Sequence, residues 1–151
     1  AGIVREAIAA GACCCTHIGN ACPLQLGRHE TLLLQQLAED RLYGCFITDG
    51  FHLGDEFARY AIKAKRQAGR RLPILVSDAS PAAKAPPGEY TIFSGKRIVV
   101  RPDGAVIDPA QTTATYTKHA GSGAGLLDVM NGALRLGYSA ADVIDITAPA
   151  P

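Results

Sequence analysis

The chain has 151 residues, the size of a single domain with one modest core. Hydrophobic residues make up 48% and charged residues only 19%, with 15 Lys+Arg against 14 Asp+Glu, so neither disorder nor a nucleic-acid-binding surface is favoured. The 16 glycines and 9 prolines follow no period, which sets aside collagen-like and low-complexity readings.

Residues 1 to 10 place Ile3, Val4, Ala7 and Ile8 on one helical face, and Gly11 is a stop. Ala12 to Ile18 is a short apolar run that suits a strand buried on both faces, ending in a loop from Gly19 to Arg28. Residues 29 to 39 read as a helix. Leu42 to Thr48 is a second buried strand, followed by the turn Asp49-Gly50 and a helix from about Asp55 to Ala68 that Gly69 ends. Leu72 to Ser77 is a third. The strand ends fall about 30 residues apart, as consecutive βαβ units require.

Beyond Asp78 a Pro/Ala-rich loop leads into GEYTIFSGKRIVVRPDGAVID, which alternates and turns like a hairpin around Ser94-Gly95 and Asp103-Gly104. A Thr-rich segment then precedes an amphipathic helix from about Leu126 to Leu136. Ser139 and Asp142 start a last short helix that stops before Ala148-Pro149. Cys13, Cys14, Cys15, Cys22 and Cys45 are odd in number and lack a CxxC spacing. They read as small thiols, with Cys13 to Cys15 buried, in a reducing cytoplasm rather than as a disulfide framework or metal cluster. No stretch approaches the roughly 20 apolar residues of a membrane span, and no signal-peptide pattern opens the chain.

Polar residues follow each buried strand: Thr16, His17 and Asn20 after the first, Asp49 and His52 after the second, Asp78 after the third. In parallel α/β folds such strand ends form the rim where side chains from distant parts of the chain meet one ligand. Singly, each has a plainer reading. His17 could be a hydrogen-bonded structural histidine, Asp78 an N-cap, His52 a solvent-facing loop residue and Arg28 one surface cation among fifteen.

The strings THIGNAC (Thr16 to Cys22), GR (Gly27-Arg28), ITDGFHL (Ile47 to Leu53) and LVSDAS (Leu75 to Ser80), in that order and spacing, resemble the N-acetylglucosamine-6-phosphate deacetylase family of metal-dependent amidohydrolases. The likeness continues through PPGEYTIFSGKRIVVRPDGAV and His119 to Ser122, covering about Val4 to Ile146. It implies an α/β fold, the C-terminal part of a (β/α)8 barrel, whose sixth to eighth strands end at His17, Asp49 and Asp78. Residues 1–80 would be barrel βα units, 81–108 a β hairpin excursion, and 109–151 a loop with C-terminal helices. A whole barrel needs about 250 residues, so the chain is expected to be a fragment, inactive alone.

Residue by residue, the resemblance implies that His17 is a metal ligand and Asp78 the catalytic aspartate, taking a proton from the attacking water and passing it to the leaving amine. Asn20 and Ala21 match a loop that contacts the substrate phosphate. Arg28 matches an arginine that adds a charge-assisted contact and can come from a neighbouring subunit, which implies a homodimer. Asp49, Gly50, Phe51 and His52 match a substrate loop, and His119, Ala120 and Gly121 a segment over the sugar. Gly19 and Cys22 depart from the pattern, standing where the family more often has an aromatic residue and a methionine. The cofactor implied is a divalent metal, zinc by preference, whose other ligands lie on strands absent from this chain. The expected activity is removal of acetate from N-acetylglucosamine 6-phosphate in the cytoplasm, with no nucleic acid or membrane as partner. One rival is another amidohydrolase acting on a cyclic amide or base. The other is a non-catalytic phosphosugar-binding or vestigial protein.

Overall fold

The computed structural model describes residues 2–69 and 72–147. Three parallel strands lie in the order β1 (Cys14–Cys15), β2 (Tyr43–Phe46) and β3 (Pro73–Leu75). Gly44 stands opposite Cys15 on one side and Pro73 on the other. Parallel neighbours need a crossover, and the crossovers here contain α2 (Leu32–Ala38) and α3 (Asp55–Ala68), with α1 (Gly2–Ala9) ahead of β1. The strands are shorter than the apolar runs that announce them. Among the described residues β1 has a partner on one side only, and its ladder with β2 covers two residues.

Local chemistry sets the helix ends. Thr31 caps α2 by accepting from the Leu34 amide at 3.0 Å, so the helix starts three residues later than the apolar pattern suggests. In α3 the acidic Asp55 and Glu56 occupy the first turn and the basic Lys65 and Arg66 the last, matching the helix dipole at both ends. Its buried stripe is Ala58, Ala61, Ile62 and Lys65, packed against β2 and β3. Lys65 is fully buried, and its Nζ donates to the carbonyls of Glu39 at 2.7 Å and Leu42 at 3.0 Å. That cation therefore ties α3 to the segment entering β2.

Burial alternates along the strands. Cys15, Gly44, Phe46, Pro73 and Leu75 are buried, whereas Cys14 is exposed and Cys45 and Ile74 are only partly covered. Strands buried on both faces are thus not what the structure shows, and Cys13 and Cys14 are not buried thiols. The helices cover one face; Cys14 and Cys45 touch on the other, their Sγ atoms 3.3 Å apart.

After Ser80 the chain builds a small antiparallel sheet from β4 (Gly88–Thr91), β5 (Arg97–Val100) and β6 (Val106–Ile107), in that order. Ala82, Ile98, Val100 and Val106 form its own core. The segment 118–122 joins the two sheets. Ala120 donates to the Val106 carbonyl, and Ser122 bridges to Ala79 just past β3. Helices α4 (Leu126–Arg135) and α5 (Ala140–Thr147) then return to β3, burying Val129, Ala133, Val143 and Ile146 in the main core. The expected stop at Ala148-Pro149 lies outside the described residues.

Candidate functional site

Each strand of the parallel sheet delivers a polar residue at its C-terminal end, and the backbone bends sharply to do so. His17 has φ 29° and Asp78 φ 48°, both in the left-handed region that aspartate enters readily and most side chains avoid. The turn after His17 is closed by the Asn20 amide on the His17 carbonyl at 3.0 Å, and Ala21 follows at φ 55°. Gly19 has φ 92°, and a Cβ there would stand 2.6 Å from Phe57 Cε1. Glycine is therefore the residue this turn takes, and an aromatic side chain would need the Phe57 and Leu53 side chains to give way.

These turns enclose a narrow cleft of about 100 Å³, lined by His17, Asn20, Ala21, His52, Asp78, Tyr116, Lys118, His119 and Gly121. A broader, adjoining cleft of about 410 Å³ shares Asn20, Ala21, His52 and His119 and adds Phe51, Leu53 and Phe57. An extended polar ligand can occupy both.

One wall is a buried network centred on Asp49, whose side chain is 1% exposed. Its Oδ1 accepts from the amides of Phe51 at 2.9 Å and His52 at 3.0 Å. Its Oδ2 accepts from His52 Nδ1 at 2.8 Å and from the Ser122 hydroxyl at 2.7 Å. Burial pushes the Asp49 carboxyl up, but the hydrogen bonds from His52, Ser122 and the Phe51 amide outweigh it and hold the group well below the usual carboxylate range. An ionised Asp49 places the proton of His52 on Nδ1, which leaves Nε2 as the ring nitrogen available to a ligand.

The His119 ring packs against His52 with centroids 4.5 Å apart. Burial, together with the neighbouring His52, pushes the His119 pKa down, so its imidazole stays neutral. Nδ1 of His119 and Nδ1 of His17 are both buried and have no hydrogen-bond partner among the described residues. Unpaired buried nitrogens are costly, so each is a position where a donor or a cation would be stabilised. For a metal the donor set is nonetheless short. Among the described residues no three His, Cys, Asp or Glu side chains cluster closely enough to hold one, and a catalytic zinc normally takes three protein ligands. His17, with its unpaired nitrogen, fits as one ligand of a site that needs others.

Of the residues singled out from the sequence, His17, Asn20, Ala21, His52, Asp78, His119 and Gly121 share the narrow cleft. Phe51 lines the broader one. Asp49 is spent on protein donors, Gly50 is exposed, and Ala120 packs on the core of the antiparallel sheet. Arg28 is exposed and lines neither cleft. Sequence reasoning missed Tyr116 and Lys118, whose Thr-rich segment shows no periodicity, and the hydroxyl of Ser122, whose partner is 73 residues away.

A parallel α/β unit with histidines and an aspartate gathered at its strand ends supports the amidohydrolase class. The solved structures it resembles are more particular: they are N-acetylglucosamine-6-phosphate deacetylases. The Pasteurella multocida deacetylase matches at TM-score 0.78 and 27% identity over 96% of this chain and 35% of that one. The Thermotoga maritima enzyme matches at TM-score 0.78 and 21% identity, over 95% of this chain and 37% of its own. A Mycobacterium smegmatis deacetylase mutant, solved in complex with N-acetyl-D-glucosamine-6-phosphate, matches at TM-score 0.74 and 24% identity over 94% of this chain and 35% of its own. The resemblance seen in the motifs therefore holds in three dimensions, and this chain spans about a third of the length of the structures it matches. No family model matches the sequence, and no curated protein does.

Proposed function

We propose that the chain is the part of a (β/α)8 barrel deacetylase that supplies the last three βα units (1–80), the hairpin excursion (81–108) and the closing loop and helices (109–151). Its reaction is hydrolysis of the acetamide of N-acetylglucosamine 6-phosphate to glucosamine 6-phosphate and acetate. One observation carries the reading: His17 and Asp78, from strands 1 and 3 of the sheet, line the same cleft as Asn20, Ala21 and His52. The half-covered sheet face bearing Cys14, Cys45 and Ile74 is consistent with further strands packing there.

In this reading Asp78 accepts a proton from the attacking water and returns it to the departing amine nitrogen, one carboxyl acting first as base and then as acid. His52, oriented by Asp49, presents Nε2 to the acetamide or a sugar hydroxyl. The loop at Asn20-Ala21, with Ala21 at φ 55°, would contact the phosphate. A divalent metal held by His17 and by ligands outside this chain would polarise the carbonyl and acidify the water. Arg28, exposed and outside the clefts, would serve the phosphate of a neighbouring subunit in a cytoplasmic homodimer. Alone, the fragment lacks the remaining metal ligands and is inactive.

The test uses the longest reading frame that contains this chain. That protein should release acetate from N-acetylglucosamine 6-phosphate far faster than from N-acetylglucosamine, and absence of turnover with both would overturn the reading. The short donor set favours a second possibility, a non-catalytic phosphosugar-binding protein. Calorimetric binding of the phosphosugar without acetate release would select it.

A further inference from the structure

We infer that Ser122 is a positioning residue for His52, acting through Asp49; this deepens the reading above, in which His52 faces the substrate. Ser122 is fully buried and joins three parts of the site. Its amide donates to the Asp78 carbonyl at 2.7 Å, and its own carbonyl accepts from the Ser80 amide at 2.8 Å. The strand end that carries Asp78 is thereby pinned. The side chain makes a different connection. Its Oγ accepts from the Ala124 amide at 2.9 Å and spends its single proton on Asp49 Oδ2 at 2.7 Å.

Asp49 Oδ2 is also the oxygen that receives His52 Nδ1. A carboxylate oxygen offers two good acceptor directions, and here Ser122 takes one and His52 the other. With both filled, and Oδ1 held by two backbone amides, the carboxylate plane cannot rotate without breaking a buried hydrogen bond. The His52 ring inherits that fixed plane, and His119 in turn packs on His52. Removing the hydroxyl leaves the backbone links to Asp78 and Ser80 intact while taking away one of the two donors that fix Asp49 Oδ2, the oxygen His52 grips. The backbone role and the side-chain role of Ser122 are thus separable by substitution.

Two measurements test this. The first is the imidazole nitrogen spectrum of the chain itself, labelled at histidine. In the unsubstituted protein the His52 Nδ1 signal is that of a nitrogen whose proton is held by Asp49. In Ser122→Ala that signal moves toward the averaged position of a free ring, with faster exchange of the Nδ1 proton. Ser122→Cys, which keeps the size and a weak donor, should fall between, and it decides the matter if the alanine variant does not fold. An unchanged His52 signal in a folded variant would overturn the inference.

The second is a double-mutant cycle in the longest reading frame. Ser122→Ala should lower kcat/KM for the phosphosugar by about tenfold, but by less than about twofold when His52 is already Asn, because the two residues act in series. Equal losses in both backgrounds would show a merely structural serine and overturn the inference. If the protein shows no turnover with any sugar, the deacetylase reading fails, and the His52 nitrogen signal alone decides the role of Ser122.

Discussion

Gly132 on α4 lies so close to Thr48 at the end of β2 that a Cβ at position 132 would overlap the Thr48 carbonyl oxygen. The Thr48 hydroxyl completes the contact by donating to the Val129 carbonyl at 2.6 Å. Helix and strand end are locked together one residue before Asp49. Alanine at 132 gains about 1 kcal/mol in helix propensity but must push the helix off the strand, an overpacking cost of about 1–3 kcal/mol or more. Because the obstacle is backbone rather than a flexible side chain, the cost wins. Gly132→Ala should lower the urea midpoint of unfolding and loosen the Asp49 turn; an unchanged midpoint would contradict this packing.

Asp49 gives an acid-side prediction. Its folded pKa lies below its unfolded value of 3.8, so the native state binds fewer protons. The resulting stabilisation is complete above about pH 4–5 and is lost as pH falls toward the folded pKa. Unfolding free energies measured from pH 6 down to pH 2.5 should therefore fall more steeply for the unsubstituted protein than for Asp49→Asn. Parallel curves would mean that the carboxylate gains nothing from its four donors.

For Asp78 the informative replacement is asparagine. With φ at 48°, alanine would add about 1 kcal/mol or more of backbone strain to any chemical loss, whereas asparagine tolerates this region as aspartate does. In the longest reading frame, Asp78→Asn should abolish acetate release while metal content, measured by atomic emission, stays the same. Retained turnover would remove Asp78 from the mechanism.

Lys65 offers a stability test away from the cleft. Lys65→Met keeps an unbranched apolar stem but leaves the buried carbonyls of Glu39 and Leu42 without their donor, at about 1–3 kcal/mol each, offset in part by no longer burying a charge. A net loss of about 1–3 kcal/mol is expected in urea titrations. Burial lowers the Lys65 pKa below 10.5, so the unfolded chain binds more protons in the interval between the two values. Stability from this group thus rises with pH through that interval, and Lys65→Met should lack the rise.

The three parallel units were legible because each strand is a compact apolar run closed by polar residues, and the 30-residue interval left little other than crossover helices between them. Lengths were less legible. Whether Ala12, Cys13 and Thr16 join a ladder depends on a neighbouring strand, and β1 has one on a single side. His17, His52 and Asp78 could be read as a site because each follows a strand end, where topology does the gathering, whereas His119 entered only through the family resemblance. Ser122 and Lys65 carried no such signal. One looks like a loop serine and the other like a charge on a solvated helix face; only the tertiary fold reveals that both are buried and hydrogen-bonded.

The distance in sequence between Asp49 and Ser122 also has a consequence for biosynthesis. At about 5–20 residues per second, some 4–15 s separate the two at the ribosome. Throughout that interval the nascent chain carries a carboxylate that lacks one of its donors. The cleft at the strand ends is therefore completed by its most C-terminal contributors, and a stall before Ser122 yields a chain with every strand of the parallel sheet synthesised but one donor to Asp49 missing.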